Sequence, residues 1–249
     1  MLSVGVLAWI GAVFLAAGLV KGVVGMGLPT VAMELLAVTM PPAQAAALLL
    51  IPSLVTNLWQ LLTGPSFGDL CKRLSTMMAG VMPGTIAGAG LLTGTHTAFA
   101  SAGLGAALVL YALVGLAKAG FTTPARHEAW VSPLVGVATG LVTGATGIFV
   151  IPAVPYLQSL RLEKEDLIQA LGLSFTVSTA ALAIGLFRTG AFTSPAAQLA
   201  ASVVVLAPAL AGMFAGQALH QRMSVETFRT VFFFGLLALG GYLALEALW

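Results

Sequence analysis

Long uninterrupted apolar runs, separated by short connections, make up most of this chain. Eight of them meet or approach the roughly 20 residues that a helix needs to cross a hydrocarbon layer about 30 Å thick. They cover residues 3–24, 42–63, 74–93, 98–118, 131–148, 165–187, 194–218 and 225–248. The runs are continuously apolar, whereas barrel strands alternate in polarity over about ten residues. The pattern therefore predicts an all-α, polytopic membrane protein of about eight transmembrane helices. The first run lacks a basic leader, so it reads as a span and not as a cleaved signal. One segment interrupts the pattern: "KGVVGMGLPTVAME" (21–34) sets a lysine, three glycines, a proline and a glutamate between apolar flanks. The stretch "TVAMELLAV", beginning at Thr30, is too short for another crossing before Pro41 and Pro42, and reads as a half-helix or re-entrant piece.

The interruption recurs. "GLVKGVVGMG" (18–27) and "GLVTGATGIF" (140–149) align Gly18, Gly22 and Gly25 with Gly140, Gly144 and Gly147, and Pro29 and Pro152 come shortly after. "AQAAALLLIPS" (43–53) pairs with "IQALGLSFTVS" (168–178), and Pro83 with Gly84 and Gly88 echoes Pro208 with Gly212 and Gly216. The shared order predicts two four-helix repeats, 1–122 and 123–249, forming one membrane domain with Gly/Pro-broken segments after the first and fifth spans. Duplicated, interrupted spans in matching places are a feature of transporters that bind their substrate between repeats.

Charge adds little to this picture but bounds it. Only 7% of the 249 residues are charged and 59% are hydrophobic, against about 25% charged in a typical soluble domain. Mean hydropathy is +1.04. No basic, aromatic-interleaved patch suggests nucleic acid, and the lone Cys71 excludes an internal disulfide. Lys72, Arg73, Lys118 and Arg126 come after even-numbered spans, which by the positive-inside rule puts the amino terminus in the cytoplasm. "RLEKED" (161–166), Arg222 and Arg229 fall on the opposite set of loops if every span simply alternates.

Polar groups inside the spans are few and aligned. Ser53, Thr56, Asn57 and Gln60 form one stripe; Thr139, Thr143 and Thr146 form another; Ser174 and Ser178 stand one turn apart. Such faces are costly against lipid and should look inward. The glycine faces allow close backbone approach, and helix amino ends exposed by the two breaks would attract anions. Lys21 either draws an anion inward or snorkels to the headgroups. Glu34 is a proton-coupling candidate, a partner for Lys21, or an interfacial acid. His96, His127 and His220 are scattered and carry no assigned chemistry, and "RLEKEDL" (161–167) reads as a solvated loop opening a helix.

The doubled segments "KGVVGMGLP" and "GLVTGATGIFVIPAVPYLQSL", with "PPAQAAALLLIPSLVTNLWQ" and "LIQALGLSFTVSTAALAIGL", resemble the TauE/SafE sulfite-exporter family across both halves. The resemblance implies a secondary transporter, an exporter, of sulfite, sulfonates or related organic anions in the inner (plasma) membrane. Its site would lie between the broken helices. The expected binding residues are Lys21, Gly25, Met26, Gly27, Asn57, Gln60, Thr143, Thr146, Gly147, Ile148, Phe149, Ser174 and Ser178, with Glu34 carrying a proton. No ATP-binding loop is present, so ion gradients would drive transport. Neither cofactor nor metal is expected. The expected partners are a small anion and the bilayer, with a homodimer as one permitted assembly. An anion channel or passive pore is the rival reading. A membrane-embedded enzyme is less favoured, because no His-Glu-x2-His, Gly-x-Ser-x-Gly or paired intramembrane acids occur.

Overall fold

The computed structural model describes residues 4–93, 122–192 and 194–220, together with positions 105, 106, 108–113, 116, 230, 233, 234, 237, 238 and 241. Its elements are α1 (Val4–Val24), α2 (Leu28–Ala37), α3 (Pro42–Thr63), α4 (Phe67–Arg73), α5 (Ser75–Thr93), α6 (Ala125–Thr146), α7 (Ala153–Ser159), α8 (Lys164–Arg188), α9 (Pro195–Val204) and α10 (Leu206–His220). Six stretches are long and apolar enough to cross a membrane: Gly5–Val24, Pro42–Thr63, Ser75–Thr93, Ala125–Thr146, Lys164–Arg188 and Pro195–Leu219. The expected spans at 98–118 and 225–248 lie largely outside the described residues. α2 is a ten-residue helix whose Leu28, Pro29, Thr30, Ala32, Met33, Glu34 and Leu36 are buried within the protein.

Prolines inside spans leave carbonyls that lipid cannot satisfy, and the neighbours supply donors. Pro52 in α3 cannot bond Leu48, so the Ser202 hydroxyl donates to Leu48 O at 2.8 Å. The same hydroxyl oxygen accepts Ile51 N–H at 3.0 Å. Ser202 on α9 thereby splices a break in α3. At the far end of α3, Gln169 on α8 donates to Leu61 O at 2.7 Å and accepts Ser66 N–H at 2.8 Å. This closes a helix carboxyl end that would otherwise hold free carbonyls.

Two seams of glycine bring backbones into contact. Gly80, Gly84 and Gly88 of α5 meet Gly136, Gly140 and Gly144 of α6 in the same order, so these helices run parallel. Gly18 and Gly22 of α1 meet Ala209 and Met213–Gln217 of α10, and Gly212 and Gly216 meet Leu15 and Leu19. These helices also run parallel. A Cβ at any of these glycines would press into a backbone atom, which is the close approach that small residues permit between membrane helices.

The remaining directions come from what lies beside what. Leu7 and Ile10, early in α1, adjoin Gln44 and Ala47, early in α3. Lys21 and Gly25, late in α1, adjoin Trp59, Gln60 and Thr63, late in α3. α1 and α3 therefore run the same way, and α2 carries the chain back between them. In the second half α6 runs opposite to α1. Its own return is α7, which brings Ser159 back to Thr123, whose N–H donates to Ser159 O at 3.1 Å. α8 then runs antiparallel to α3, with Gln169 beside Leu61 and Gly172 beside Asn57–Leu61.

This arrangement corrects the orientation expected from simple alternation. Because α1 and α3 share a direction, the connection after α3 lies at the end opposite the start of α1. Arg73 pairs there with Glu128 at 2.6 Å. The hydrogen bonds it donates to the Glu128 carboxylate hold the guanidinium's pKa above its usual value. Arg161 donates to Thr122 Oγ1 at 2.9 Å at the same end. Lys72, Arg73, Arg126, Arg161 and Lys164 thus gather at one end of the bundle, and Arg188 is the basic residue described at the other. Among the described residues the basic groups of the two halves no longer conflict, and the beginning of α1 stands at the end away from the basic cluster.

Gly140→Ala should lower the thermal midpoint in detergent by about 5 °C, since overpacking costs about 1–3 kcal/mol and each kcal/mol is worth about 2–4 °C in a chain of this size. Gly90→Ala, where nothing lies within 4 Å, should leave it unchanged or slightly higher. In a Cys71→Ser background, Lys72→Cys and Lys164→Cys should label from one face of sealed vesicles and Thr189→Cys from the other. Labelling of all three from one face would refute the directions above.

Candidate functional site

The chain leaves helical geometry at glycine in both halves. Gly25 N–H donates to Lys21 O at 2.8 Å, and then Gly25 and Gly27 take φ of 81° and 105°. Few side chains tolerate that left-handed region. Gly27 caps α2 with no side-chain hydrogen bond, and Pro29 occupies the first turn. In the second half Gly147 takes φ of 74° and its N–H donates to Thr143 O at 2.7 Å. This break is closed by its own threonines. Thr143 Oγ1 donates to Ile148 O at 3.1 Å, Thr146 Oγ1 donates to Val142 O at 2.7 Å, and Ile148 N–H donates to Thr146 Oγ1 at 3.2 Å.

The directions of the helices decide what these breaks can do together. α2 begins near the basic end and runs away from it, while the seven-residue α7 runs toward that end and finishes where Ser159 O accepts Thr123 N–H. The two short helices therefore run in opposite directions. The two breaks meet through α2: a Cβ on Gly147 would lie 2.7 Å from Met33 Cε. Met26 is buried, with the Tyr111 hydroxyl 3.6 Å from its sulfur. Phe149 packs on Phe175 with ring centroids 6.2 Å apart. The side chains of Met26, Ile148 and Phe149 are buried around the breaks.

Buried side chains around the breaks carry unsatisfied polarity. Lys21 is only 2% exposed and its ammonium donates to Asn57 Oδ1. It does not snorkel, and Glu34 is not its partner. Gln60 Nε2 donates to Gly25 O at 2.5 Å and ties α3 to the first break. Among the described residues, Thr30 Oγ1, Glu34 Oε1, Ser53 Oγ, Asn57 Nδ2, Gln60 Oε1, Thr139 Oγ1, Ser174 Oγ and Ser178 Oγ are buried without a hydrogen-bond partner. Buried polar atoms are nearly always paired, and each one left alone costs about 1–3 kcal/mol. At 1.5 Å per residue, Ser53 lies about 16 Å into α3 from one end, and Ser174 about 15 Å into the antiparallel α8 from the other. Ser53, Asn57, Ser174 and Ser178 therefore share the middle depth of the bundle, with Gln60 nearer the basic end.

Asn57, Ser174 and Ser178 fall in this belt as expected from the sequence. Thr143 and Thr146 do not, because their hydroxyls build the second break. Ser53 and Thr139, visible in the sequence only as members of polar stripes, belong to the belt. Thr30 carries an unpaired hydroxyl too, and sequence reasoning missed it. Its signal is the i, i+4 spacing to Glu34 on the short helix. Thr56 turns back to Pro52 O at 2.7 Å on its own helix. Above the belt a cavity of about 360 Å³ opens at the basic end, bounded by Lys21, Gly25, Gln60, Lys164 and Gln217. A larger groove of about 540 Å³ between α1, α3, α9 and α10 is lined mostly by aliphatic side chains. It offers no comparable polar set.

No curated protein and no solved structure matches the chain. The family model described as "Sulfite exporter TauE/SafE" matches residues 10–243, nearly the whole length over which the interrupted spans, the glycine seams and the polar belt are distributed. The chain is a helical integral membrane protein of the TauE/SafE sulfite exporter family.

Proposed function

We propose that the protein is a secondary transporter of small sulfur-containing or organic anions, sulfite and short sulfonates among them, working by alternating access in the inner (plasma) membrane. The observation that carries the reading is Lys21. An ammonium taken out of water costs several kcal/mol unless an anion pairs with it. Here its described hydrogen-bond partner is the neutral Asn57 amide, and the described ion pair is Arg73–Glu128, elsewhere. A mobile anion is the natural counter-ion. Asn57 Nδ2 and the hydroxyls of Ser53, Ser174 and Ser178 are free to donate to its oxygens. Neutral donors with a single cation bind reversibly, as a carrier requires.

The architecture supports alternating access by two repeats, 1–122 and 123–249, of inverted topology. Apart from α4, each described element of the first half has a counterpart running the other way in the second: α1 with α6, the return α2 with the return α7, α3 with α8, and α5 with α9–α10. Inverted repeats of this kind can exchange conformations and so open a central site to either face. The positive-inside rule makes the basic end cytoplasmic. Glu34 is the coupling acid in this reading. It is 3% exposed, and Oε1 lacks a partner. Among the elements packed on α2, Lys21 is the titratable residue of α1, and α3 has none.

Three outcomes test this. Sulfite should raise the thermal midpoint of the purified protein by mass action. Lys21→Met should raise the ligand-free midpoint, because an unpaired charge leaves the interior, while weakening sulfite binding at least tenfold, about 1.4 kcal/mol. Unchanged sulfite affinity in Lys21→Met would remove the cation from the site. Glu34→Gln should abolish uptake driven by a pH gradient in proteoliposomes and retain sulfite counterflow. Absence of counterflow in the unaltered protein, with flux intact, would favour a channel.

A further inference from the structure

The cavity of about 360 Å³ at the basic end lies where α1, α3, α8 and α10 come together. Its floor and rim differ in chemistry. At the floor are Lys21, nearly sealed by protein, and Gln60, whose Oε1 is buried and unpaired. The rim carries Lys164, exposed at the first residue of α8, and Gln217 on α10. Trp59 and Thr63 complete the wall on the α3 side. α2 starts just beyond Gly25, so its amino end sits at the same level. The positive features thus run inward from an exposed lysine to a buried one.

We infer that this cavity is the cytoplasmic vestibule through which an oxyanion reaches the central belt, with Lys164 recruiting it and Lys21 receiving it. The inference rests on the transport reading and adds its route and face. A charge in a cleft with low-dielectric walls concentrates counter-ions over a distance comparable to the roughly 8 Å screening length of physiological salt. Lys164 stands where that effect acts. The Gln60–Gly25 hydrogen bond, 2.5 Å long, crosses the floor beside Lys21 and is the contact an incoming anion must part. Lys164 is a recruiting residue and does not hold the anion at the central belt.

Trp59 gives a readout independent of transport. In a protein where Trp9, Trp130 and Trp249 are replaced by phenylalanine, iodide should quench Trp59 fluorescence. Lys164→Gln should lower the iodide quenching constant about twofold, as expected for loss of one nearby charge. It should leave quenching by neutral acrylamide unchanged. Lys72→Gln, at the same face but outside the cavity, should change neither. In oriented proteoliposomes Lys164→Gln should raise half-saturating sulfite severalfold from the basic face and leave it unaltered from the other. Equal iodide quenching in Lys164→Gln and the parent would overturn the vestibule even if sulfite transport is intact. A drop in quenching without any sulfite flux would keep the vestibule and remove the transport reading. The fluorescence series is run in phosphatidylcholine nanodiscs and repeated with phosphatidylglycerol. If iodide loses access only in the second, a lipid headgroup occupies the cavity and the vestibule is refuted.

Discussion

A chain inside a membrane has no water to complete its hydrogen bonds, so every departure from helix must be answered by another part of the protein. That requirement explains more of this structure than any apolar contact does. The break at Gly25 is held by Gln60, the one at Gly147 by two threonines of its own helix, and the Pro52 gap by Ser202. The carboxyl end of α3 is held by Gln169. Each answering side chain fixes one helix against another or one turn against the next. The polar atoms left over, chiefly at mid-depth, are those to which no protein group has been assigned.

Much of the fold was legible in the sequence. Helix lengths were, because an apolar run bounded by polar residues is sized by the thickness of the hydrocarbon layer: 42–63 is α3 to the residue, and 165–187 is α8 within one residue at each end. The breaks were legible because glycine with proline close behind weakens a helix wherever it occurs. Helix direction was not. Counting spans as simple alternations treats α2 as a loop, whereas α2 together with residues 38–41 carries the chain back from the end of α1 to the start of α3. The charges around 161–166 are at odds with the positive-inside rule only under that count.

The site was legible in part, for a chemical reason. Lys21, Asn57, Ser174 and Ser178 stood out because polar side chains are rare in lipid-spanning segments. Whether a threonine is free depends on which carbonyl lies one turn back or across a break, and this separates Thr139 from Thr143 and Thr146. Lys164 resembled any solvated residue at a helix start. Only the packing of α1, α3 and α10 around it gives it a cavity to face.

The glycine seams carry a mechanical consequence. They lock α1 to α10 and α5 to α6, and the Ser202 splice adds α9 to α3. Each joint therefore fastens a piece from one half of the sequence to a piece from the other. Domains that shift as solid blocks would have to be hybrids, one built on α1, α3, α9 and α10, the other on α5, α6 and α8. The contact between such blocks is that of α3 with α8, which has no glycine-to-glycine interlock and is held by the hydrogen bonds of Gln169 to Leu61 O and Ser66 N–H.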